Sequence, residues 1–444
     1  MRNISKTLFV CSLGLLVQGA CNWTEFDDLK GTTSVNVIGK PGSSKSSDVG
    51  VALVRGQQTA AAGEGGSFVT YGTNKPFMYR VTVTETGDLK YKSQVDLTEL
   101  FGLANIEASP ITIANPISDE VALVTKTLAD QIGILKNDLS DSVTNGQIFD
   151  LANVNAAAYI LTPGIAAAEM PSYQPIVAGS NSDAQSVIER QINQAEAVTP
   201  KCVIDDGTSP VAVRGLSGVM VSHAADTGAA KYDDVVVWST TGKLLVYDGL
   251  ILKGQVQNGV NTDTQCPVGA TPNQGQGHPI ATRPALDTGY QPGLGSQLIR
   301  YKDHYVIAIG HKDAAADKAS FIQMFDLSGT GAPTVVGTPI NMEGLKTASV
   351  LTTTSGDFLV AGYPFTDVDG TKDAGLVQIF ALSATGVDVT PMETINPPSP
   401  GSNNNFGRAV TSFAFNGQQV VAIGEVNHVY TYFTTELYSD ARTK

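Results

Sequence analysis

The residues best placed to do chemistry are three carboxylates, Asp367, Asp369 and Asp373, spaced around Gly370 in a short polar loop. Alternate carboxylates can supply part of the oxygen shell that a hard cation such as Ca²⁺ takes, although the bidentate Glu that closes an EF-hand is missing. The same letters also spell an ordinary Asp-Gly turn, because both residue types tolerate the left-handed backbone of a tight turn. Elsewhere the chemistry is sparse. No G-x-S-x-G elbow, H-E-x-x-H pair or Walker loop occurs. The five histidines, His223, His278, His304, His311 and His428, are scattered, and although His304 and His311 bracket one apolar run, neither has a Cys or Glu at metal-ligand spacing. They read as core or surface histidines. Asp205 with Asp206, and Asp233 with Asp234, are acid pairs in form and turn residues by context. The glycines before Ser296 suggest a phosphate loop, yet no helical pattern follows, so they read as a turn. No catalysis is expected, and no cofactor beyond the cation the acidic loop would take.

Four cysteines set the redox frame: Cys11, Cys21, Cys202 and Cys266. Arg2 and Lys6 precede an apolar run over 7–17, with small residues Gly19 and Ala20 just before Cys21, the pattern of a secretory signal peptide too short to span a bilayer stably. Export removes Cys11 with the leader. In an oxidising compartment Cys202 and Cys266 are then expected to form a disulfide, the alternative being two buried thiols. Gly19-Ala20-Cys21 resembles the lipobox of bacterial lipoproteins, which implies that Cys21 carries lipid; a plainly cleaved leader with an unmodified Cys21 is the other reading. Asn22 at the next position points, by the same resemblance, to the outer membrane.

The elements that must position these residues are strands. Hydrophobic residues make up 42% of the 444 while charged ones make up 16%, and 45 Gly with 21 Pro supply many turns, an all-β profile. A net charge of -14 argues against nucleic acid and anionic membrane surfaces as partners, since both need Lys and Arg. The stretch 358–380 has the form of two paired strands, with β-branched and aromatic runs at 358–360 and 376–380 around a polar loop. Related pairs recur at 234–238 with 242–247, at 305–310 with 320–325, and at 420–424 with 428–433. The first half is more diffuse: 51–54, 59–63 and 77–83 form one candidate unit, 121–124 with 132–135 a second, and 158–161 with 176–179 a third. The count is seven. Small sheets repeated radially leave only short edges exposed, so the expected fold is all-β, a seven-bladed β-propeller over 48–438 with a tail at 439–444.

Three stretches interrupt the pattern. Residues 21–47, rich in Gly, Ser and Lys toward their end, read as a tether behind the leader at 1–20. In 182–197, Val187, Ile188, Ile192 and Ala195 fall at helical spacing behind a Ser182/Gln185 capping box, which predicts one short inserted helix. Residues 254–296, rich in Gly, Pro, Gln and Asn and holding Cys266, predict a long irregular excursion.

The last repeat resembles an FG-GAP unit, the blade of integrin alpha-chain propellers and of many bacterial surface proteins. Phe406 and Gly407 match its opening, Gly362, Tyr363 and Pro364 its Gly-Ala-Pro turn with Tyr for Ala, and 373–380 its third strand. The likeness is good over 340–433 and fair over 211–325. Family blades carry a D-x-D-x-D-G calcium loop before the second strand; 354–357, 301–303 and 415–417 stand there instead and are poor in carboxylates, so calcium binding at those places is expected to be lost. The acidic loop at Asp367 lies after the second strand. The resemblance implies a non-enzymatic cell-surface protein, lipid-anchored in the outer membrane, whose loops bind a protein or glycan partner. An envelope assembly scaffold and a propeller hydrolase or lyase are the alternatives.

Overall fold

In the computed structural model the described residues are strand backbone within 34–149 and, with gaps, 152–433. Their regular structure is almost wholly strand. β1 (Ser34–Val37) stands apart from β2 (Ser67–Tyr71), β3 (Phe77–Val83) and β4 (Leu89–Asp96), which form an antiparallel meander. β5 (Ile111–Ala114), β6 (Val121–Lys126), β7 (Ile132–Asn137) and β8 (Gly146–Phe149) make the next sheet, followed by β9 (Ala152–Thr162), β10 (Ser172–Ser180), β11 (Ser186–Arg190) and β12 (Lys201–Ile204). β13 (Val213–Val219), β14 (Asp234–Ser239) and β15 (Leu244–Tyr247) begin a further sheet. A 3-10 turn (Gly249–Leu252), a ribbon of β16 (Val256–Gln257) with β17 (Val260–Asn261), and β18 (Gln276–Gly277) intervene before β19 (Ala281–Arg283) completes it. β20 (Gln297–Tyr301), β21 (Tyr305–His311), β22 (Ser320–Asp326) and β23 (Thr334–Asn341) form one four-stranded sheet, and β24 (Thr347–Thr352), β25 (Asp357–Tyr363), β26 (Leu376–Ser383) and β27 (Gly386–Ile395) another. β28 (Ala409–Phe415), β29 (Gln418–Glu425) and β30 (His428–Phe433) come last, and β1 is the fourth strand of their sheet, with Ser34 opposite Thr431 and Val37 opposite His428.

The burial patterns explain why these segments are strands. β14, Asp-Val-Val-Val-Trp-Ser, is buried at every position, as a central strand covered on both faces must be, so its sequence runs apolar without alternation. β23, at a sheet edge, is exposed or half-buried along its length. Between successive sheets the apolar side chains interlock. Trp238 on β14 meets Phe321 on β22 edge-on at 5.8 Å, Leu359 and Ala361 on β25 pack with Ile307 and Ile309 on β21, and Val377 and Ile379 on β26 pack with Val421 and Ile423 on β29. Each fully buried side chain of this size contributes roughly 1.5–3 kcal/mol. The first strands of successive sheets also lie against one another, β5 on β9, β9 on β13, β13 on β20, β20 on β24 and β24 on β28. Ser412 on β28 fixes the last of these approaches, its hydroxyl donating to the Val350 carbonyl at 2.5 Å beside the Ser349 hydroxyl at 2.9 Å.

The strand pairs expected at 234–247, 305–325, 358–380 and 420–433 are all present, as are those at 121–135 and 158–179. Of the segments 51–54, 59–63 and 77–83 in the first candidate unit, only 77–83 lies among the described residues, as β3, where it pairs with β2. Two expectations change. The helix over 182–197 gives way, over 186–190, to β11, which pairs on both edges: Ile188 stands opposite Ala178 on one side and Cys202 on the other. Val187 and Ile188 are adjacent β-branched residues that lose side-chain freedom in a helix, and two open strand edges offer this backbone a full ladder. Within the segment read as a tether, 34–37 are part of the fold as β1. The excursion at 254–296 also has more structure than its composition suggests, because it yields β19 and sends β18 back to the preceding sheet, parallel to β12.

Candidate interaction face

Register gives every sheet from β9 onward the same two ends. At one end lie the start of each first strand, the turn from second to third strand and the exit of the fourth; at the other lie the remaining turns. The first end carries the loops 364–375 and 396–408 and the turn between β29 and β30. These are laced together by main-chain hydrogen bonds: Asn403 N donates to Lys372 O at 3.0 Å, Asn405 N to Asp373 O at 3.0 Å, Phe406 N to Ala374 O at 2.9 Å, and Val426 N to Asn404 O at 2.8 Å. Phe406 is fully buried below them and meets Tyr430 edge-on at 5.4 Å. Three glycines allow the crossing. A Cβ on Gly362 would strike the Gly407 carbonyl, one on Gly375 the Phe406 backbone, and one on Gly407 would lie 2.6 Å from the Leu376 oxygen. Gly375 and Gly407 also hold φ near +82° and +84°, the left-handed region where a side chain is strained. The letters Phe-Gly and Gly-Tyr-Pro, noted as motif matches, thus mark the place where two sheets meet backbone to backbone.

On top of this crossing sit the three predicted carboxylates. Asp369 (φ 51°) and Gly370 (φ 78°) are the central residues of a two-residue hairpin turn closed by reciprocal hydrogen bonds between Val368 and Thr371, the mirror-image geometry that an Asp-Gly pair favours. Asp367 Oδ1 accepts from Asp373 N at 2.8 Å. Asp367 and Asp369 are exposed, and Asp373 has the exposed Lys372 ammonium at 3.8 Å. Among the described residues no group of three or more His, Cys, Asp or Glu side chains is gathered for a metal ion. Lys346 and Phe365 add a cation over an exposed ring at 5.7 Å.

The histidines have structural settings. His304 and His311 stand at opposite ends of β21 and do not meet. His311 is buried with Nδ1 3.0 Å from Ser320 Oγ and Nε2 3.2 Å from Lys346 O; Ser320 Oγ itself donates to Leu345 O at 2.6 Å. The serine hydrogen therefore goes to a carbonyl, and burial lowers the imidazole to about 4. His428 lies 3.1 Å from Glu425, a carboxylate that also accepts from Tyr430 Oη at 2.9 Å; desolvation raises Glu425 above the usual carboxylate range. Asp206 pairs with Lys243 at 2.5 Å, and just before β20 Ser296 N donates to Gly293 O at 3.3 Å. His223, His278, Cys21 and Cys266 lie outside the described residues. Cys202 is buried on β12 and is disulfide-bonded to a residue outside them.

At the opposite end, sequence reasoning missed a buried tie. Asp233, fully buried, accepts from Arg300 Nη1 at 2.8 Å and from Leu161 N at 3.0 Å, while its own amide donates to Leu161 O at 2.8 Å. One carboxylate thereby joins three successive sheets. Burial raises it, and the Arg300 charge pulls it back down. Gly218 makes room, since a Cβ there would lie 2.8 Å from Asp233 Oδ2. No signal links Asp233 to Arg300, 67 positions further along the chain. No protein-family model matches the chain, and no curated protein matches it.

Proposed function

We propose that this chain is an exported, lipid-anchored β-propeller of the FG-GAP type, closed from seven sheets, that binds a protein or glycan partner at the cell surface through the loop face above the glycine crossing, without catalysis. The observation that carries this reading is the pairing of β1 with β30: the first described strand completes the sheet of the last three, which is how a ring of sheets closes on itself. The ordered contact of first strands supports it, since in a ring those strands line a common axis. The carboxylates of Asp367, Asp369 and Asp373 enter as part of the loop face and not as calcium ligands. Cys266 is the proposed partner of Cys202, supported by β18, which brings the same excursion alongside β12. The scaffold alternative, held by blade-edge contacts and additionally by a helix at 182–197, loses the helix over 186–190, where β11 stands.

The test is capture of partners from the native envelope by the mature chain, by a chain lacking 254–296, and by a Phe365→Ser/Lys372→Glu/Arg408→Glu variant whose changes lie on exposed positions of the face. Loss of the captured set with the triple variant is expected. An unchanged set would refute the loop face as the binding surface, and loss only on removing 254–296, in a chain whose circular dichroism and urea midpoint match the mature chain's, would move the site to the excursion.

A further inference from the structure

β23 and β27 are the outermost strands of their sheets. Each carries a proline, Pro339 in β23 and Pro391 in β27, which removes one donor from its ladder. Each also slips register against its inner neighbour, β23 between Ile322 and Met324 and β27 on both sides of Phe380. Prolines and bulges of this kind turn an edge away from pairing with another chain.

β30 is built otherwise. Its sequence, His-Val-Tyr-Thr-Tyr-Phe, has no proline and no Lys, Arg, Asp or Glu, and is rich in β-branched and aromatic residues. Against β29 it runs in unbroken register from the Glu425 and His428 pair to the Val420 and Phe433 pair. It is fixed from the inside, because Tyr430 and Tyr432 pack with Val421 and Ile423 of β29 and with Val377 and Ile379 of the preceding sheet. Its other edge takes β1, again with no register shift, over His428 to Thr431. β1 lies chiefly along β30, with a smaller contact to β4.

We propose that the outer edge of β30 is a strand-acceptor site, filled here by the chain's own β1, and that it also takes β1 from a second copy of this chain. The product is a strand-exchanged dimer in which each molecule's last sheet is completed by the other's β1. Recognition is through the main chain: an antiparallel extended segment brings N–H and C=O groups in the spacing that β30 leaves unpaired without β1. A second copy carries the same Ser-Val-Asn-Val strand, and exchanging an identical element keeps every contact of the ladder itself. The acceptor does not depend on the donor, since β28, β29 and β30 are consecutive in the chain and pair with one another without β1. The exchange goes beyond the loop-face reading and shares with it the β1–β30 ladder on which ring closure rests.

The experiment uses two full chains, both carrying Cys11→Ala and Cys21→Ala, one with Ser34→Cys and the other with Thr431→Cys. Ser34 and Thr431 stand opposite each other in register. Opposed residues of an antiparallel pair have Cα atoms about 4.5–5.5 Å apart, within disulfide range. The chains are unfolded in urea, mixed, refolded together over a series of concentrations in a glutathione redox buffer, and separated by electrophoresis without reductant. Asn36→Cys with Val429→Cys, two positions along the ladder, serves where Thr431→Cys does not refold. Ser34→Cys mixed with Lys372→Cys, a side chain 74% exposed at the loop face, gives the level of chance cross-linking. A covalent heterodimer above that level is expected, rising roughly tenfold for a tenfold increase in concentration while it is the minor species, because exchange is bimolecular and self-closure is not. Heterodimer no greater than the chance level, when a single chain carrying both Ser34→Cys and Thr431→Cys links to itself, would overturn the exchange and leave the ladder intact. Failure of the doubly substituted chain to form that bond, within or between molecules, would overturn the ladder and with it both the exchange and the ring closure.

Discussion

Gly370 and Gly375 are five positions apart in one loop, share a left-handed backbone (φ 78° and 82°), and differ in what surrounds them. A Cβ on Gly370 meets nothing within 4 Å, whereas one on Gly375 would press into the carbonyl oxygen, nitrogen and carbonyl carbon of Phe406. Replacing each with Ala separates conformational strain from the close approach of two sheets. Gly370→Ala carries only the left-handed penalty, about 1–2 kcal/mol. Gly375→Ala carries the same penalty and must also push the 403–408 segment away. That strains or breaks the hydrogen bonds from Phe406 N to Ala374 O and from Gly375 N to Thr366 O, each worth about 1 kcal/mol, and unseats the fully buried Phe406 ring. With part of the roughly 1.5–3 kcal/mol of Phe burial lost, the total is about 4–6 kcal/mol. Urea unfolding followed by tryptophan fluorescence gives both values under the same linear extrapolation. Equal losses for the two variants would refute the claim that the glycine at 375 is there for the crossing.

Three further outcomes are expected. His311 is neutral in the fold at about 4 against 6.5 when unfolded, so its contribution is fully present above pH 6.5 and is lost as pH falls from 6.5 toward 4; wild-type stability should drop there by roughly 3 kcal/mol more than that of His311→Gln, as read from urea midpoints at each pH. Asp233→Ala removes the carboxylate that Arg300 Nη1 and the Leu161 amide share and should cost about 3 kcal/mol, while Asp233→Ala with Arg300→Met should cost less, a difference a double-mutant cycle detects. A chain beginning at residue 48 should lose hydrogen-exchange protection at Val429 to Tyr432 relative to one beginning at residue 30, since only the latter retains β1; equal protection would show that β1 adds nothing to the sheet.

Strands covered on both faces announced themselves in sequence, because burial on two sides demands an unbroken apolar run such as that of β14 and of β25. The segment 186–190 did not. Val187, Ile188 and Ile192 satisfy helical spacing as well as strand composition, and the choice was made by two backbone edges contributed by residues elsewhere in the chain. β1 was hidden for the same reason: four residues of mixed polarity have no strand signature without β30 beside them. At the loop face the Asp-Gly turn was legible from two letters, and Phe406 and Gly407 from their likeness to a motif. The reason the glycines are needed was not, since Gly362, Gly375 and Gly407 oppose one another only once two sheets are packed. The Asp233 tie, made of an acid, a base and an amide from three sheets, left no local trace at all.

The β1–β30 ladder joins the first and the last of the described strands. At about 5–20 residues per second, a ribosome needs roughly 20–80 s to travel from the codons of β1 to those of β30. Throughout that interval β1 is without the strand it pairs with. The sheet of β28 to β30 therefore gains its fourth strand only after all three of them have been made.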